Sequence, residues 1–130
     1  MSDVAPVTRT ITQEQLRAYA DASGDHNPIH VDEAYARTTP FGGTIAHGML
    51  VAALIGEMMY AAHGAAWSGG GRMRLRFKAP TRPGDTVTAS AEAVAGGAET
   101  GSLRDYAVRC TDQRGEVLIE GRASVPAEAP

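Results

Sequence analysis

The sequence predicts a single α+β domain in which a long buried helix packs against an antiparallel sheet. The segment from Ile45 to His63 is apolar on nearly every side of a helix, and such a helix is buried. After it, apolar and polar residues alternate with a period of two in segments joined by short turns, which is typical of antiparallel strands. The length of 130 residues allows one core and is too short for two.

The first half of the chain is predicted to be mainly helical. A short strand, Val7 to Ile11, comes first. Thr12 and Gln15 form the capping-box pattern that begins a helix, and Gly24 is placed to end it. The next elements are a polar loop from Asp25 to His30, kept non-helical by Pro28, a short helix from Glu33 to Arg37 capped by Asp32, and a loop with Pro40, Gly42 and Gly43.

The second half is predicted to hold four strands. In the first, residues 72–79, the apolar side chains form one dry face and the basic ones a wet face. A turn at residues 81–85 leads to a strand through Val87 and Ala93, and a loop with Gly96 and Gly97 leads to one through Tyr106 and Cys110. The last follows a turn at residues 113–115. We expect residues 1–6 to be a flexible lead, residues 7–126 the domain, and residues 127–130 a flexible tail.

Composition excludes several classes of protein. The formal net charge is −3, whereas nucleic-acid binders usually carry a strong basic excess. The single cysteine, Cys110, allows neither an internal disulfide nor a multi-cysteine metal site. No segment reaches the ~18 continuous apolar residues of a membrane span, and the first residues lack a signal-peptide pattern. We therefore expect a cytoplasmic protein that binds neither nucleic acid nor membrane.

Asp25 and His30 are the first candidate for chemistry. A carboxylate and an imidazole held a few ångströms apart can position one water molecule and move its protons. Asn27, between them, can both donate and accept hydrogen bonds and so fix the loop. The alternative is ordinary turn chemistry, in which Asp25 caps, Asn27 forms an Asx-turn and the histidine lies on the surface.

His47 and Gly48 are the second candidate, because they begin the buried helix. The start of a helix offers unpaired N–H groups and the positive end of its dipole. A glycine there lets a ligand oxygen approach the N–H closely, as the stabilisation of an enolate oxygen requires. The alternative is that Gly48 only permits close packing and that His47 is a polar residue at the helix end.

The two features together resemble a known family. The run YADASGDHNPIHVDEAYARTTPFGGTIAHGML, from Tyr19 to Leu50, is similar to the signature of MaoC-like (R)-specific enoyl-CoA hydratases and 3-hydroxyacyl-thioester dehydratases. The run RFKAPTRPGDTVTA, from Arg76 to Ala89, resembles their strand-turn-strand segment. The resemblance implies a hot-dog fold, an antiparallel sheet wrapped around a long central helix, in a homodimer.

The resemblance also implies the roles of individual residues. Asp25 and His30 would be the catalytic pair, the Gly48 N–H would hold the thioester carbonyl, and Asn27 and His47 would support them. The substrate would be an acyl thioester of CoA or of a carrier protein. No metal and no cofactor is expected, since CoA or phosphopantetheine is part of the substrate.

Two further sets of residues are hypotheses about substrate contacts. The basic face of the predicted strand consists of Arg72, Arg74, Arg76 and Lys78. The last three would contact the phosphates of CoA or phosphopantetheine; the alternative is a solvated strand face. Apolar residues of the buried helix would shape an acyl tunnel, and the alternative is plain core packing. They are Met49, Met58, Met59 and Tyr60.

The main functional hypothesis is the reversible hydration of trans-2-enoyl thioesters to (3R)-3-hydroxyacyl thioesters. One alternative is a biosynthetic dehydratase that acts on a carrier-protein-bound 3-hydroxyacyl chain in a fatty-acid or polyketide pathway. A non-catalytic subunit that binds acyl thioesters is a second alternative, disfavoured by the presence of both Asp25 and His30. A thioesterase is a third, since that activity also occurs on hot-dog folds.

Overall fold

The computed structural model describes residues 3–94 and 103–127. The predicted loop with Gly96 and Gly97 lies outside these ranges. The described helices are α1 (Gln13–Ser23), α2 (Pro28–Val31), α3 (Glu33–Ala36), α4 (Gly48–His63) and α5 (Ala65–Gly70). The described strands are β1 (Val7–Thr10), β2 (Arg72–Phe77), β3 (Thr86–Ala93), β4 (Leu103–Thr111) and β5 (Val117–Pro126).

The five strands form one sheet in the order β1-β3-β4-β5-β2, and every neighbouring pair is antiparallel. Helix α4 packs on one face of this sheet, and the core between them is built mainly from aliphatic side chains. Ile55 of α4, Val108 of β4 and Ile119 of β5 are typical members. The predicted α+β hot-dog architecture, with a long helix against an antiparallel sheet, is confirmed.

Local signals in the sequence set the start and end of α1. The Thr12 side chain accepts a hydrogen bond from the Gln15 N–H, and the Gln15 side chain accepts one from the Thr12 N–H. Gly24 ends the helix in the left-handed conformation, with φ of 83°, which glycine adopts without strain. Asp32 likewise caps α3 by accepting from the Tyr35 N–H. These predicted caps are confirmed.

The boundaries of two elements differ from the prediction. Helix α4 begins at Gly48, not Ile45, because the Ile45 and Ala46 N–H groups bond to the Ile29 and Thr81 carbonyls and keep this segment extended. The polar loop predicted through His30 is wrong beyond Asn27. Residues 28–31 form α2, because the Asn27 side chain caps the turn and a proline fits its first position.

The N-terminal residues and β2 also depart from expectation. Val4 is 4% exposed in the core and Asp3 accepts a hydrogen bond from the Tyr106 hydroxyl, so contacts with the fold begin before the predicted domain start at Val7. Strand β2 lies at the sheet edge, and the described residues cover its predicted dry face only in part: Leu75 packs against the core, whereas Met73 and Phe77 are exposed. Among the described residues, no helix has the length and apolar character to cross a membrane.

Candidate active site

The Asp25 carboxylate and the His30 imidazole meet beside the start of α4. Asp25 follows Gly24, which ends α1, and His30 lies in α2. The distance between Asp25 Oδ2 and His30 Nε2 is 3.9 Å. A water molecule about 2.8 Å from each atom fits that separation, with a hydrogen bond to both. The two groups are therefore placed to share one water molecule.

The hydrogen bond of the other ring nitrogen fixes the tautomer of His30. Its Nδ1 lies 2.7 Å from the Ile45 carbonyl oxygen. A carbonyl only accepts hydrogen bonds, so Nδ1 carries the proton and donates it. In the neutral ring, the lone pair is then on Nε2, the atom that faces Asp25. The His30 side chain is 12% exposed, so this orientation is set within the protein.

Backbone hydrogen bonds hold the Asp25 carboxylate. Its Oδ1 accepts from the Asn27 N–H at 3.2 Å, and Asn27 Oδ1 in turn accepts from the Ile29 N–H at 3.1 Å. The Asp25 N–H donates to the Ser23 hydroxyl at 3.1 Å. Because Oδ1 is held in this way, Oδ2 is the carboxylate oxygen that faces His30. The turn chemistry that the sequence offers as an alternative is thus present, and it also places the carboxylate.

The buried His47 side chain contacts both Asp25 and His30. It is 3% exposed and precedes α4. Its Nε2 donates to the Asp25 carbonyl oxygen at 3.0 Å, and its ring stacks on that of His30 with centroids 3.8 Å apart. Tyr19 covers the ring with a centroid distance of 4.8 Å. His47 Nδ1 is buried and has no hydrogen-bond partner among the described residues.

Gly48 is the first residue of α4, and its N–H has no acceptor within the described part of the chain. The N–H is therefore available to a ligand oxygen at the positive end of the helix. The Phe77 ring lies against this glycine: a Cβ on Gly48 would be 2.9 Å from Phe77 Cε2. Only a residue without a side chain permits that approach without displacement of the ring.

Two cavities meet at His30, Gly48 and Phe77. The first, of about 330 Å³, also contains Asp25 and His47, and its remaining walls are Tyr19, Ser23 and Met49. The second, of about 390 Å³, is mainly apolar; among its walls are Phe41, Val51, Lys78, Pro80 and Ile119. The candidate catalytic groups thus lie where two mainly apolar cavities meet, and the first cavity contains both Asp25 and His30.

The structure separates the other predicted contact residues. Of the four proposed tunnel residues, Met49 lines the first cavity, Met58 and Met59 are fully buried in the core, and Tyr60 is exposed. Lys78 lines the second cavity, whereas Arg74 and Arg76 line a groove apart from both. The sequence did not predict Tyr19 and Phe77 as site residues. The hydrophobic pattern of a helix or strand does not show which side chains line a cavity beside His30.

Asp25, His30 and His47 also offer three atoms within 4.8 Å of one another that a metal ion could bind. The geometry does not suit this. His30 Nδ1 and His47 Nε2 are bonded to carbonyl oxygens, and the remaining lone pairs lie in two stacked rings inclined by 23°. Lone pairs that lie in two nearly parallel planes stacked in this way cannot both point at one ion about 2.1 Å from each nitrogen.

Comparisons with known proteins identify the family of this chain. The sequence model of the family described as MaoC like domain matches residues 2–112. An (R)-specific enoyl-CoA hydratase of Rhodospirillum rubrum is 40% identical over 125 residues, which cover 93% of this chain and 83% of that protein. A 3-hydroxyacyl-thioester dehydratase Z of Mycobacterium tuberculosis is 43% identical over 89 residues, 65% of this chain and 59% of that protein.

Solved structures extend the comparison to the fold. The unliganded R-hydratase PhaJ1 of Pseudomonas aeruginosa superposes with a TM-score of 0.83 at 31% identity, over 97% of this chain and 80% of that chain.

Proposed function

We infer the reaction from the family to which this chain belongs, the MaoC-like domain family: the protein is a hydro-lyase that hydrates trans-2-enoyl thioesters and dehydrates 3-hydroxyacyl thioesters. Relatives at 40% and 43% identity are named for the two directions of this reaction. We propose the (3R) product because the first of these relatives is named (R)-specific.

One observation carries the assignment of the catalytic groups: His30 Nε2, with its lone pair free, lies 3.9 Å from Asp25 Oδ2. We propose that both atoms bind one water molecule. His30 accepts a proton from this water at Nε2, and the hydroxide adds to the β-carbon of the enoyl thioester. The protonated ring then returns the proton to the α-carbon. Dehydration is the reverse sequence.

Gly48, His47 and Asn27 have supporting roles in this proposal. The Gly48 N–H donates to the thioester oxygen, where negative charge develops as hydroxide adds. Asn27 holds the carboxylate through its N–H. His47 holds the Asp25 carbonyl and the face of the His30 ring. Met49, which lines the cavity with the pair, is proposed as an acyl contact, whereas the fully buried Met58 and Met59 belong to the core.

Loss of the enoyl-thioester absorbance on addition of crotonyl-CoA or a longer trans-2-enoyl-CoA tests the proposed reaction. We expect turnover without release of free thiol. The absence of turnover with every CoA and carrier-protein thioester would contradict the proposal, and thiol release would indicate a thioesterase instead.

A carrier-protein dehydratase is the second candidate, supported by the relative named as a 3-hydroxyacyl-thioester dehydratase. Hydration and dehydration use one site, so the residues do not distinguish them. Rates measured side by side on matched CoA and carrier-protein thioesters distinguish the two candidates. A rate at least tenfold higher on the carrier-protein thioester would favour the second candidate.

We also propose that the protein is a cytoplasmic homodimer. Apolar side chains on α4 and on the edge strand β2 are exposed in the single chain, Met49, Tyr60, Met73 and Phe77 among them, and an uncovered apolar surface favours association. Cys110 is free, which is compatible with a reducing compartment. Light scattering on the purified protein tests the dimer, which Met73→Glu is expected to weaken.

A further inference from the structure

A groove of about 370 Å³ lies on the face of the sheet opposite α4. Four arginines surround it: Arg74 and Arg76 of β2, Arg109 of β4 and Arg122 of β5. The strand register places Arg74 directly opposite Arg122, and Arg76 and Arg109 on either side of Glu120. We call this set the arginine groove.

The positive charge of the arginine groove is balanced only in part by its neighbours. None of the four guanidinium groups has a carboxylate partner among the described residues. Glu120, the one acid of the lining, binds Lys78 Nζ at 3.2 Å. Like charges directly opposite each other destabilise a sheet, and the chain as a whole has a net charge of −3. Four unpaired arginines on one face therefore indicate an anionic ligand.

Small residues give the groove its depth. Ala107 and Gly121 lie in the floor, between the arginines of the neighbouring strands. A Cβ on Gly121 would be 2.0 Å from the Arg74 carbonyl oxygen, so the strand packing itself requires glycine at this position. The long arginine side chains thus stand around a shallow floor, where several of them can contact one group.

The groove and the second cavity share no lining residue, but an ion pair joins a wall of one to a wall of the other. Lys78 lines the second cavity, and Glu120, its partner, lines the groove. Lys78 directly follows the edge strand β2, and Glu120 lies in the neighbouring strand β5. A long substrate that leaves the second cavity past Lys78, beyond the end of β2, can reach the arginines without crossing the edge of the sheet.

We propose that the arginine groove binds phosphate groups, supplied by the nucleotide of a CoA thioester. Planar guanidinium groups donate paired hydrogen bonds to phosphate oxygens, and several arginines around one phosphate group give both affinity and orientation. The assignment of CoA as the source depends on the proposed function. The chemistry of the groove does not, since a free nucleotide presents the same phosphates.

The first test measures phosphate binding alone. Isothermal titration calorimetry with adenosine 3′,5′-bisphosphate compares the wild type, Arg109→Gln/Arg122→Gln, and a matched control, Arg17→Gln/Arg37→Gln, which loses the same charge at exposed positions of the helical half. We expect the groove variant to bind about tenfold or more weakly and the control to match the wild type. Melting temperatures check that all three are folded. Equal affinity in all three proteins would overturn the proposal.

The second test identifies the source of the phosphate. We expect the groove variant to raise KM for crotonyl-CoA and not for crotonyl-pantetheine, which lacks the nucleotide. A loss of nucleotide affinity with both KM values unchanged would assign the groove to a separate phosphate ligand and overturn the assignment to CoA. Turnover of crotonyl-pantetheine by the wild type reports on the catalytic pair independently, so failure of the groove and failure of the proposed reaction are distinguishable.

Discussion

The imidazole ring of His47 stacks on that of His30 with centroids 3.8 Å apart, while its Nε2 donates to the Asp25 carbonyl oxygen at 3.0 Å. One buried side chain thus contacts both members of the proposed catalytic pair. Its Nδ1 has no hydrogen-bond partner in the described chain, and burial of such a group costs free energy.

Two substitutions of His47 separate its contacts. His47→Gln keeps an N–H donor for the Asp25 carbonyl and loses the ring, whereas His47→Phe keeps a ring and loses the donor. We expect both to lower kcat by about tenfold or more with little change in KM, because the pair loses its geometry and not its substrate contacts. Steady-state kinetics and melting temperatures measure this. A change in melting temperature with kcat intact would show a structural role only.

Gly48→Ala tests the use of the helix N-terminus. The added Cβ would meet the half-exposed Phe77 ring at 2.9 Å, and because that ring can move, we expect a melting temperature close to the wild type. The added Cβ also blocks the approach of the thioester oxygen to the N–H of residue 48, so we expect kcat/KM to fall by about 10²-fold. Gly48→Ala/Phe77→Ala is the control: relief of the ring contact should not restore activity. Full recovery there would mean that Gly48 serves packing alone.

The fold was predictable from local signals and hydrophobic period. The capping box at Thr12, the glycine that ends α1 and the period of the strands concern residues close in sequence, and each was confirmed. The start of α4 was predicted too early because the Thr81 carbonyl, which holds Ala46 in an extended segment, is distant in sequence. The exposure of Met73 was unpredicted for a similar reason, since strand order decides which strand lies at the edge.

The candidate site was predictable only in part. The motif identifies Asp25 and His30, but the tautomer of His30 depends on the Ile45 carbonyl and the role of His47 on a ring contact across 17 residues. Helix periodicity cannot separate Met49, which lines a cavity, from Met58, which is buried in the core. Phe77 reaches the site because its ring lies against Gly48, a contact between residues that are distant in sequence.

The thiol of Cys110 is expected to be unreactive in the folded protein. Burial raises its pKa to about 12, so at pH 8 only about one thiol in 10⁴ is ionised. We expect Ellman's reagent to label the native protein very slowly and the urea-unfolded protein fully. Cys110→Ala/Ser68→Cys, which moves the cysteine to an exposed helix position, is the positive control. Rapid native labelling of Cys110 would contradict the described core.

Asp112 is expected to contribute to stability at neutral pH but not in acid. Burial alone raises the pKa of its carboxyl, but hydrogen bonds from the Glu116 and Arg114 N–H groups and the Arg114 guanidinium outweigh this, so the pKa is lowered from 3.8. A lowered pKa in the folded state means that the contribution is present above pH 3.8 and is lost as pH falls below it.

Asp112→Asn should therefore be less stable than the wild type at pH 7, with a difference that shrinks below about pH 4. Thermal melts of both proteins at several pH values between these limits measure it. A difference that stays constant down to pH 3 would show that the carboxylate charge contributes nothing.

Kinetics of Asp25→Asn, His30→Gln and the double variant test the central claim most directly, with the loss of crotonyl-CoA absorbance as the readout and melting temperatures as the check on folding. Because Asp25 and His30 are proposed to hold one water molecule together, each single substitution is predicted to lower kcat by on the order of 10²–10⁴-fold. The double variant is predicted to lose little more than either single variant. Near-full activity in either single variant, or losses that multiply in the double variant, would contradict the assignment of these two residues as a catalytic pair.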